Sequence, residues 1–93
     1  MNSIPVVEKE TIAALKFVKH EVLQTKEQIS QRKADLNRAM MLGNIEHNKI
    51  RITFETEDGL KAVETTVWAT TETEVSLKGG VSIPLSSIHR VDV

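Results

Sequence analysis

The chain has 93 residues, 40% of them apolar and 27% charged, with a formal charge of −1. That is the balance of one small globular domain with no global pull toward nucleic acid or anionic lipid. With no cysteine and only Phe17, Phe54 and Trp68 as aromatics, disulfide frameworks, thiolate metal sites and cysteine nucleophiles are excluded, and base-stacking platforms and aromatic cages are disfavoured. No apolar run approaches the ~18 residues of a membrane span. The first ten residues lack the basic start and long apolar core of a secretory signal, so a cytoplasmic location is expected.

From about Pro5 to Leu42 there is no glycine and no further proline, and Ala, Leu, Lys, Glu, Gln and Arg predominate, a composition that predicts one long helix. Gly43-Asn44 supplies a stop signal. Leu15, Val22, Ile29 and Leu36 recur every seven residues and define a candidate oligomer seam. The second line of a zipper is poorer: Val18, Thr25, Arg32 and Ala39 on one flank, Ile12, Lys19, Lys26, Lys33 and Met40 on the other. A 36-residue helix would be a rod of roughly 54 Å, about twice the diameter of the ~25 Å domain that the remaining residues could form. Such a rod either breaks, with Ser30 the weak candidate, or pairs with another chain. Self-association is the expectation.

From Lys49 onward Val, Ile and Thr take over, and seven of the nine threonines lie here. The chain therefore divides into a helical part, residues 1–43, and a strand-rich part, residues 44–93. Lys49–Thr56 alternates, with Ile50, Ile52 and Phe54 on one face, and Asp58-Gly59 marks a tight turn. A long second strand spans about Leu60–Thr70, with Val63, Val67 and Ala69 inward and a bend or bulge expected at Glu64-Thr65-Thr66. Val75 and Leu77 face inward on the third strand, before the Gly79-Gly80 hairpin. The fourth holds Val81, Ile83 and Leu85, with Pro84 suited to an edge or strand end. Val91 and Val93 face inward on the last.

This order of a long bent second strand, tight turns and a short closing strand resembles the SH3-like and Sm-like small barrels over residues 49–93. The runs Val67-Trp-Ala-Thr-Thr71, Leu77-Lys-Gly-Gly80 and Ile83-Pro-Leu85 are similar to those of small uncharacterised bacterial proteins in which a helix precedes such a barrel. The resemblance implies an α+β fold, a long N-terminal α-helix followed by a small five-stranded antiparallel barrel. It implies no activity.

Little in the sequence points to catalysis. His47 and His89 with Glu46 or Asp92 would make an N/O metal set, but their spacing fits no short metal motif. Ser86-Ser87 near His89 lacks an oriented acid and is read as turn serines bonding local backbone. Gly79-Gly80 lacks the P-loop lysine and following helix of a phosphate cradle, and the acidic tip around Asp58 lacks calcium-loop spacing. No catalytic residue, metal or cofactor is expected.

Residues 1–42 carry a net +2 and the remainder −3, so an acidic, aromatic-poor barrel is a poor nucleic-acid surface. On the helix, Lys19, Lys26 and Lys33 form a candidate basic stripe, read either as cover for the apolar seam or as a phosphate-tracking face. Trp68 shares a face with Thr66 and Thr70, and is either packed beneath the helix or exposed as a partner anchor. The expectation is a non-enzymatic oligomerising scaffold or protein-interaction module, homo-oligomeric, with a protein partner. The alternative is a nucleic-acid accessory protein using the basic stripe.

Overall fold

A computed structural model describes residues 3–93, and in it the glycine-free first half is not one helix. A 3-10 helix forms over Lys9–Ala14, irregular chain follows, and the α-helix α1 spans Lys26–Glu46. Its start is set by a capping box. The Gln28 N–H donates to Thr25 Oγ1 at 3.1 Å, and the Thr25 N–H donates to Gln28 Oε1 at 3.2 Å. At 21 residues the helix is roughly 31 Å long, within the 34 × 31 × 27 Å extents of the molecule. The protruding rod expected from composition is thus corrected, and with it the argument that an unsupported rod must pair.

Residues 15–24 are drawn out of helix by the strands. The Glu57 N–H donates to Lys16 O at 2.9 Å, the Val18 N–H to Glu55 O at 3.3 Å, and the Val22 N–H to Ser86 O at 2.9 Å. Phe17 stacks at a tilt on Phe54, with ring centroids 5.4 Å apart. These contacts bury apolar side chains that a solitary helix would leave in water, and tertiary burial outweighs helix propensity.

Gly43 does not stop the helix. It is buried on α1's inner face, and a Cβ there would lie 2.5 Å from Val67 O. The missing side chain lets the helix rest on the strand backbone. The helix ends at His47, whose φ of 56° is left-handed.

Six strands follow, where five were expected: β1 (Ile50–Thr56), β2 (Gly59–Thr65), β3 (Val67–Thr70), β4 (Glu74–Leu77), β5 (Ser82–Pro84) and β6 (Ile88–Asp92). The expected long second strand breaks at Thr66 into β2 and β3, at the polar centre where a bend was read. The break divides the strands into two three-stranded antiparallel sheets, ordered β2-β1-β6 and β3-β4-β5. They do not close into the expected barrel. The fold remains α+β, with α1 resting on β3 and β6, one edge strand from each sheet.

The core lies between the sheets, built from Ile50, Ile52, Phe54, Val63, Val67, Val75, Leu77, Ile83, Ile88 and Val91, with Ile12, Leu36 and Ala39 entering from the first half. The strand alternation read from the sequence places most of these correctly. Ala69 and Val93 are instead exposed, the first beyond a register shift between Val67 and Ala69, the second past the end of β6.

Candidate functional site

The four residues of the expected seam do not share a helical line. Leu15 and Val22 precede α1, Leu36 is buried in the core of its own chain, and Ile29 is 37% exposed. The inner face of α1 is instead Arg32, Leu36, Ala39 and Gly43, two of which stand on the flank that looked too poor for a zipper. The basic stripe is divided in the same way. Lys26 and Lys33 lie on α1 and Lys19 in the irregular chain before it, all exposed.

Arg32 was not singled out by its sequence context, yet it is the most constrained charged side chain described. It is 7% exposed, and its guanidinium donates to both carboxylate oxygens of Glu21, at 2.6 and 2.7 Å, and to Ile88 O at 3.0 Å. The paired fork binds α1 to the preceding chain and to the first residue of β6. Arg32 holds the Glu21 carboxyl below its ordinary range, helped by the Leu23 N–H and opposed by partial burial. Beside this pair a groove of ≈ 470 Å³ is lined by Glu21, Ile29, Arg32, Lys33, Thr71, Glu72, Thr73, Leu85 and Ser86. A second cleft of ≈ 420 Å³ brings Lys9, Lys49 and Lys78 together with Glu8, Glu10 and Glu64, so its charges balance.

The remaining polar candidates serve the fold. Ser87 Oγ donates to Pro84 O at 2.8 Å, the local backbone bond expected of a turn serine. His89 Nε2 lies 2.8 Å from Glu55 Oε1 across the β1–β6 pair. His47 forms the helix C-cap, and its carbonyl accepts from Thr66 Oγ1 at 3.4 Å. Among the described residues no three His, Asp or Glu side chains gather where they could hold a metal ion. Among the described residues no helix is long and apolar enough to cross a membrane.

Trp68 is 49% exposed, so the reading that buries it beneath the helix is corrected. It sits in the β3–β4 register shift, between Val67, paired with Leu77, and Ala69, paired with Ser76. A bulge re-aims the side chain it carries. Val67 is fully buried and its carbonyl meets Gly43, so the indole follows a residue held both by the core and by α1. No family model, curated protein or solved structure matches the chain.

Two exposed apolar residues of α1 also escaped the sequence reading. Met41 is 59% and Ile45 73% exposed. Four residues apart, they share a stripe opposite Ala39 and Gly43. Their spacing was visible, but only the position of the inner face shows that they point outward.

Proposed function

We propose that the protein is a non-enzymatic interaction module of an oligomeric scaffold, which offers Trp68 to a protein partner. The observation that supports this most directly is the half-exposed indole on a rigid strand bulge. Large aromatics anchored on fixed backbone are the residues that dominate binding energy at protein interfaces. The outward Met41–Ile45 pair on the helix adds apolar surface of the kind that marks interaction sites. The non-enzymatic reading is supported by the structural engagement of Ser87, His89 and Arg32, each of which bonds backbone or a carboxylate within the fold.

Photo-crosslinking from position 68 in the source cell tests the reading. A benzophenone side chain there is expected to trap a discrete protein species that the same group at Lys61, on the other sheet, does not. Identical products from both positions, or none from position 68, would overturn it.

A further inference from the structure

A different surface, independent of Trp68, is suited to a second copy of this chain. Residues 5–7 add to the free edge of β2 as a short parallel strand. The Ala62 N–H donates to Pro5 O and the Val7 N–H to Ala62 O, both at 2.8 Å, which makes Val6 the partner of Ala62. In this pattern the Val6 N–H and C=O point away from β2, and neither has a backbone partner among the described residues. Pro5, which lacks a donor, has its carbonyl turned inward to β2, so the outer edge loses nothing to it.

The side chains on this edge are apolar and in water. Val6 is 49% and Ile4 37% exposed. The parallel register sets Ile4 beside Leu60, itself 42% exposed. Three of the large exposed apolar residues thus line one corner of one sheet, beside an unpaired strand edge. Natural sheets blunt such edges with charge, bulges or cover, and residues 4–7 carry no charge at all.

We infer that residues 4–8 pair antiparallel with the same residues of a second copy, about a two-fold axis at Val6, joining two sheets into one. In that register the Val6 N–H of each chain donates to the Val6 C=O of the other, and Ile4 meets Glu8. The backbone stays extended through Glu8, at φ −72° and ψ 139°. No like charges face one another, because Glu8, the one charged residue in the paired segment, lies opposite Ile4. A single short strand per copy gives an interface at the low end of specific ones, so the dimer is concentration-dependent.

Sedimentation equilibrium of the full chain from about 5 to about 500 µM is the test. The wild type is expected to show a monomer–dimer equilibrium. Val6→Lys, which puts a charge on the edge, and Val6→Pro, which removes its free N–H, should each raise the dissociation constant at least about tenfold with circular dichroism unchanged. A monomer throughout the range overturns the inference. So does a dimer of wild-type affinity in both variants, an outcome that leaves self-association standing through another surface. A third variant is decisive should the first two fold poorly. In this cysteine-free chain, Val6→Cys should form a disulfide-linked dimer on mild oxidation, whereas Lys33→Cys should not. Equal cross-linking from both positions counts against the pairing.

Discussion

Arg32 of α1 grips both carboxylate oxygens of Glu21, eleven residues earlier, and also donates to the carbonyl of Ile88 at the start of β6. One side chain therefore joins the helix, the chain leading into it and an edge strand. The arrangement is asymmetric in its consequences. Removing Glu21 leaves a guanidinium buried with only a carbonyl to answer its charge, whereas replacing Arg32 with an apolar residue of similar length leaves Glu21 free to meet water. Glu21→Ala is expected to cost about 1–3 kcal/mol, a range already reduced for Glu21's partial exposure. Arg32→Met should cost less. Urea denaturation midpoints of the two variants decide the order, and equal losses would contradict the account.

The same pair sets an acid dependence. Glu21 is held below its ordinary pKa by Arg32. Its stabilisation is therefore complete above the ordinary glutamate range of the unfolded chain, and is lost as the pH falls through the lower folded value. Stability measured downward from pH 6 should decline in that window. In Glu21→Gln the decline should be shallower, because the titrating group is gone.

Gly43 carries a prediction opposite in sign to helix propensity. Alanine in a helix interior is favoured over glycine by about 1 kcal/mol, but a Cβ at 43 would lie 2.5 Å from Val67 O and 2.9 Å from the Thr66 methyl. The Val67 carbonyl is strand backbone and the Thr66 methyl belongs to a buried side chain, so neither yields easily, and Gly43→Ala is expected to destabilise by about 1–3 kcal/mol. Asn44→Ala, at the neighbouring exposed position, should be neutral or slightly stabilising. Thermal melts of the pair separate close approach from propensity.

Gly43 also shows where the sequence misleads. A glycine-asparagine pair after a run of helix formers reads as a stop, and only β3 passing beneath shows that the glycine is there for contact. The true start of α1 was legible: Thr25-Lys-Glu-Gln28 is a capping box written in four residues, but the uninterrupted composition on either side hides it. Alternation in β1 and β4 revealed their inward faces, because there one face of the strand meets the core. Arg32 was hidden because an arginine in a polar, lysine-bearing stretch looks solvated, and its partner Glu21 lies in chain whose path depends on bonds to β1 and to the turn before β6. For Trp68 the sequence leaves packing beneath the helix and exposure both open, and its exposure follows from a bulge that no local pattern specifies.

The capping box gives a local test of the helix start. Thr25→Ala removes the acceptor for the Gln28 N–H and should cost about 1 kcal/mol, with faster amide exchange confined to the first turn of α1. Exchange that accelerates across the whole helix would instead mean that the cap holds the Glu21 segment in place.

Trp68 and Ile52 should differ sharply on truncation if the indole is surface and not core. Ile52 is fully buried between the sheets, and Ile52→Ala is expected to cost about 2–5 kcal/mol. Trp68→Ala, which removes a larger side chain, should cost about 1 kcal/mol or less, because half of the ring is already in water. The sole tryptophan makes its own environment measurable. Its emission should lie toward the red, be quenched by iodide in the native state, and shift little on unfolding. A blue-shifted, iodide-resistant native emission at high dilution would place the ring inside the fold and remove the anchor on which the proposed interaction rests. If resistance to iodide instead appears only as protein concentration rises, the ring is being covered by another copy, and Trp68→Ala should then weaken self-association where Val6→Lys does not.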